Sequence, residues 1–70
     1  MKTVYALRIL SRLVKSRNGL SLQTIAAEGR VSYRSAKRYI EDLRSAGFEV
    51  VVEQKGKAYP AAYKIEGILS

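Results

Sequence analysis

Cysteine, histidine and tryptophan are absent from this 70-residue sequence, and proline, phenylalanine and methionine occur once each. Without Cys and His there are no disulfides, no thiolate chemistry, none of the usual zinc ligands and no imidazole general base. Acid is also scarce. The six carboxylates are Glu28, Glu41, Asp42, Glu49, Glu53 and Glu66, and none precedes residue 28. They are too scattered for a carboxylate pair or a metal cluster, so neither enzymatic activity nor any metal or cofactor is expected. Long apolar runs are missing too: nothing reaches the roughly 18 residues of a spanning helix. The opening "MKTVYALRIL" is interrupted by Arg8 and has no small-residue cleavage site, so it does not read as a secretory signal. The expectation is a cytoplasmic protein with no membrane association.

What is present is apolar residues and positive charge. Apolar residues make up 47% of the chain, enough for a globular fold, although a chain this short buries only a modest core. Thirteen Lys and Arg leave a net charge of +7. That excess suits nucleic acid, or less well an anionic membrane surface.

Hydrophobic spacing and punctuation predict three helices in one domain, residues 1–70. The first runs over about 4–17, capped by Thr3, with Leu7, Leu10, Leu13 and Val14 as its buried stripe beside Ala6. Arg8, Arg12 and Lys15 line its other face and are expected to be solvated, and Asn18-Gly19 stops it. Tyr5 and Ile9 flank the basic face as a candidate exposed apolar patch. Ser21 caps a short helix over about 22–28 that buries Leu22, Ile25 and Ala26 and ends at Gly29. Only Arg30 and Val31 intervene before Ser32 caps the third helix, 33–46, with Ala36, Ile40 and Leu43 inward at i, i+4, i+7 and Gly47 as its stop. Beyond Gly47 the period changes. "FEVVVEQ" reads as a strand, "KGKAYP" as a loop and "AAYKI" as the returning strand, a wing spanning about 49–65, with Glu66 to Ser70 as a short tail. The fold class expected is α+β: three helices and a two-stranded β-hairpin, the outline of a winged helix-turn-helix.

The stretch "VSYRSAKRY", residues 31–39, carries three Lys or Arg and no acid at the start of the third helix. Arg38–Asp42 and Lys37–Glu41 are available as i, i+4 pairs, but such pairs contribute only a few tenths of a kcal/mol and do not account for an acid-free first turn. Tyr39 suits either core packing or a phosphate hydrogen bond.

From Leu20 to about Ile65 the sequence resembles the winged helix of DeoR-type and WYL-type bacterial transcription regulators. Ile25-Ala26 stands in the first helix of the motif. Val31, Ser32, Arg34, Ser35, Arg38, Ile40, Leu43 and Gly47 fill the slots of the recognition segment, and Tyr63-Lys64-Ile65 is similar to the end of the wing. Tyr39 replaces the family's usual Asp, Ala36 a larger aliphatic, and the wing loop is longer. The family's effector-binding or dimerising domain has no counterpart after the wing here, so ligand sensing is not implied. The resemblance implies double-stranded DNA as partner and a bacterial or phage-encoded protein, at the nucleoid when bound. Helix 33–46 would enter the major groove and the wing would reach flanking backbone or minor groove. Tyr33, Arg34 and Lys37 are expected on base edges, with Ser32, Ser35 and Arg38 on phosphates. Lys55, Lys57 and Tyr59 form the second contact, against the plainer reading of a charged hairpin guarding a sheet edge.

A small transcriptional regulator is the leading reading. An excisionase-like architectural factor, or a winged helix that binds an acidic protein, are the alternatives; RNA is disfavoured by the lack of stacking aromatics on a sheet. A module this size buries only about 600–1,000 Å² on DNA. Self-association, cooperative loading on DNA or a protein partner is therefore expected.

Overall fold

The computed structural model describes residues 1–68. Helix α1 spans Thr3–Lys15, strand β1 Leu20–Ser21, α2 Leu22–Gly29, α3 Tyr33–Ser45, β2 Phe48–Glu53 and β3 Ala62–Ile68. No helix among the described residues is long and apolar enough to cross a membrane.

The first helix departs most from the sequence expectation. Thr3 lies inside it; Lys2 is the capping residue and offers no side-chain cap bond. The Lys2 carbonyl accepts the Tyr5 and Ala6 N–H groups at 3.1 and 3.0 Å. The helix ends at Lys15, two residues early, because Ser16 turns extended and its hydroxyl accepts the Gly19 N–H at 2.8 Å. Gly19 is required twice over. Its φ is +80°, and a Cβ there would lie 2.9 Å from Ala62 Cβ and 3.0 Å from the Tyr63 carbonyl. The buried stripe is also rotated. Ile9 and Leu13 are fully buried and Leu10 packs at the core edge, whereas Leu7 and Val14 are exposed. Ile9 is thus a core residue and not part of an exposed patch, and Tyr5 is half-buried.

In α2 the expected cap holds: the Ser21 hydroxyl accepts the Thr24 N–H at 3.2 Å. The stop, however, is not Gly29. Gly29 stays helical and buried, where a Cβ would come within 2.8 Å of Met1 Cε and 3.1 Å of Ile9 Cδ1. Its task is close approach to α1. The turn is made by Arg30 in left-handed conformation, φ 54° and ψ 46°. The Val31 N–H donates to the Ala26 carbonyl at 3.0 Å and the Arg30 N–H to Ala27 at 3.3 Å. This is a Schellman closure, and Val31 and Ala26 both pack against the core. A side chain in that conformation costs about 1–2 kcal/mol.

Helix α3 follows the spacing: Ala36, Ile40 and Leu43 are buried, and Gly47 at φ 104° closes the end. Tyr39 resolves toward the core. Its hydroxyl donates to the Ala6 carbonyl at 2.7 Å, tying α3 to α1, and burial raises its pKa.

The sheet has three strands, in the order β1-β3-β2, all antiparallel, where sequence suggested a two-stranded hairpin. Two-residue β1 pairs Leu20 with Tyr63 and Ser21 with Ala62. β2 pairs Val52 with Tyr63 and Val50 with Ile65; the register then slips, so that Glu49 faces Gly67 and Glu66 is the extra residue of a bulge. The segment expected as tail from Glu66 is strand as far as Ile68, opposite Phe48; Leu69 and Ser70 lie outside the described residues. Phe48, Val50, Tyr63 and Ile65 close the core made by Ile9, Leu13, Leu20, Leu22, Ile25, Ala36, Ile40 and Leu43.

Candidate nucleic-acid interface

Burying Ala36, Ile40 and Leu43 against α2 and β2 fixes how α3 is rotated, and so fixes what it shows to solvent. Ser32, Tyr33, Arg34, Ser35, Lys37 and Arg38 are all exposed, Tyr33 by 58%. Ser32 is the N-cap. Its hydroxyl accepts the Ser35 N–H at 3.2 Å and donates to Ser35 Oγ at 3.2 Å. The hydroxyl hydrogen left for a ligand therefore belongs to Ser35, and Ser32 serves mainly to orient it. At i, i+4 spacing Tyr33 and Lys37 share one flank of α3, Arg34 and Arg38 form its crest, and Ser35 lies on the other flank.

The charges are placed against helix stability. The first turn of α3 has no acid, Arg34, Lys37 and Arg38 fill its N-terminal half, and Glu41 and Asp42 come later. The macrodipole favours the opposite order, by about 0.3–1 kcal/mol per charge near the ends. Nor are these cations neutralised. Among the described residues the ion pairs are Arg12 with Glu28, and Lys64 with Glu53 at 2.9 Å and Glu66 at 3.5 Å. The Arg38–Asp42 and Lys37–Glu41 pairs open to the sequence do not form. Arg12, expected to be solvated, instead joins α1 to α2 through Glu28.

The wing tip is ordered by its own amide. Gln54 Nε2 donates to the Gly56 carbonyl at 2.8 Å and also to the Tyr59 carbonyl, and the Tyr59 N–H donates to Gly56 at 3.3 Å. Lys55 and Lys57 are left exposed on the closed loop, with Tyr59 at 64% exposure. At the wing base, the Lys64 hydrogen bond and charge hold Glu53 below its usual pKa, with a smaller contribution from Lys55; the Glu53 bond in turn raises Lys64.

Two grooves border α3. One brings Tyr33 together with Ser21 and Gln23 at the start of α2 and with Gln54, Pro60 and Tyr63 of the wing root. The other joins Ser35, Arg38, Tyr39 and Asp42 with Met1. The basic cluster is thus flanked by the wing on one side and the start of α1 on the other. Gln23 and Gln54 were missed in the sequence. Single amides carry no periodicity, and only the sheet register brings Gln54 toward α2.

A family model described as an HTH domain matches residues 6–59, well over half of the chain, from within α1 to the tip of the wing. No curated protein and no solved structure matches the chain. With three helices, a capped α2–α3 turn and an antiparallel wing, the chain belongs to the helix-turn-helix family of DNA-binding domains, in its winged form.

Proposed function

We propose that the protein binds double-stranded DNA sequence-selectively as a small transcriptional regulator, with α3 in the major groove and the wing on flanking backbone or minor groove. The observation that carries this reading is the charge order of α3: exposed Arg34, Lys37 and Arg38, unpaired among the described residues, at the dipole-positive end, with acids only beyond them. That arrangement opposes the isolated helix and becomes favourable beside a polyanion, because free N–H groups, dipole and side chains then all face its negative potential. Tyr33, Arg34 and Lys37 take the base edges, where Arg and Lys pair with guanine O6 and N7. Ser35 and Arg38, with Ser32 behind them, hold the backbone and set register. Lys55, Lys57 and Tyr59 reach the neighbouring phosphates, and the Gln54 clamp limits the ordering entropy lost on binding.

Rounds of selection from a randomised duplex pool test the proposal. Enrichment of one short motif is expected; a pool that stays random after binding at moderate salt would sink sequence selectivity.

A further inference from the structure

Arg30 is the only non-glycine residue with positive φ among the described residues. Glycine or asparagine fits that turn with less strain, so the backbone gives no reason for a long cationic side chain there. Nor is the charge consumed by the fold. Glu28, two residues earlier, pairs with Arg12. The Arg30 guanidinium lies instead over the Tyr5 ring, 5.3 Å from its centroid, a contact that orients the cation without neutralising it. Arg8 borders the same groove, together with Tyr5, Ala27 and Glu28, and is exposed with no ion pair among the described residues.

The position of this cluster matters as much as its charge. Arg30 lies two residues before Ser32, the α3 cap, and its stacking partner lies in the first turn of α1. Met1, just ahead of α1, shares a groove with Ser35 and Arg38, whereas the wing root borders Tyr33 on the far flank. The flank of α3 that carries Ser35 and Arg38 therefore faces the start of α1, where Arg30 stacks on Tyr5, and lies away from the wing.

We infer that Arg30, held by Tyr5 and with Arg8 beside it, makes a third contact with the phosphodiester backbone, on the flank of α3 opposite the wing. Duplex DNA would then be gripped on both sides of the recognition helix. The inference rests on the DNA-binding reading above and extends its site by a surface that the helix and wing do not include.

Arg30→Gly separates this role from folding, because glycine suits the left-handed turn. The expected variant melts no lower than the wild type. It binds DNA about eightfold more weakly near 0.1 M salt, and its plot of log affinity against log salt is shallower by about 0.9, the loss that one phosphate contact implies. Hydroxyl-radical protection should shrink at the end of the footprint away from the wing. Arg30→Lys, which keeps the charge, should keep the wild-type slope. Wild-type affinity and slope in Arg30→Gly would overturn the inference, as would an equal loss of slope in both variants. If the wild-type protein itself fails to shift duplex DNA at low salt, it is the DNA-binding reading that fails.

Discussion

Tyr39 and Arg34 stand five residues apart on one helix and have opposite duties, and each duty can be tested alone. The Tyr39 hydroxyl reaches Ala6 across the α1–α3 contact, so Tyr39→Phe should lower stability by about 0.5–1.5 kcal/mol, the net value of such a bond. Its pH dependence has a definite sign. Burial raises the Tyr39 pKa above 10.0, so the folded state holds a proton that the unfolded chain releases. That contribution is complete below pH 10 and is lost as pH rises through the folded-state value. Urea midpoints measured from pH 8 to 11.5 should fall less steeply at the alkaline end in Tyr39→Phe than in the wild type, with the exposed Lys64 pair adding a small loss common to both. Identical alkaline slopes would contradict the assignment. Arg34 and Lys37, by contrast, make no contact that the fold needs. Replacing either with Ala should leave the melting midpoint unchanged while reducing discrimination between preferred and random duplex by about 1–3 kcal/mol. The double change Lys55→Ala, Lys57→Ala should weaken all duplexes alike. Competition binding with cognate and scrambled duplexes separates the two outcomes, and a change of preference in the wing variant would reverse the division of labour.

Among the elements, α1 is the hardest to read from sequence, and the reason is physical. Val4, Leu7, Leu10 and Val14 follow a helical spacing as good as that of Ile9 and Leu13, so apolar residues cover more than one face. Periodicity alone cannot choose which face the other elements bury. The choice is made by Gly29, whose missing side chain lets Ile9 approach α2, and by β3, which α1 packs against. Ile9→Ala should therefore destabilise by about 2–4 kcal/mol, and Leu7→Ala by less than about 0.5. Equal effects in denaturant melts would restore the stripe that the sequence suggested. The caps Ser21 and Ser32, the inward face of α3 and the stop at Gly47 were legible because each depends on chemistry within four residues. The left-handed Arg30, the two-residue β1 and the continuation of β3 past Glu66 were not. Each is set by partners distant in sequence or by a backbone conformation that residue type disfavours. The exposed cluster at the start of α3 could be read from charge alone; its two bordering grooves, and the amides Gln23 and Gln54 within them, required the packing of α2 and the wing.

Across the whole molecule the balance is electrostatic. Of six acids, Glu28, Glu53 and Glu66 are held by Arg12 and Lys64, while the cations of the α3 crest, the wing tip and the α2–α3 turn have no acidic partner among the described residues. A surface of that kind gains affinity mainly by releasing counterions from a polyanion, and the gain weakens predictably as salt is added. With no histidine in the chain, no imidazole titrates near neutral pH, and salt is the natural variable to change. The most direct measurement is therefore the affinity for a duplex carrying the selected motif, titrated from about 50 to 300 mM salt. With roughly six phosphates neutralised, log affinity should fall linearly against log salt with a slope near −5. A slope near zero, or no binding at the lowest salt, would contradict the account.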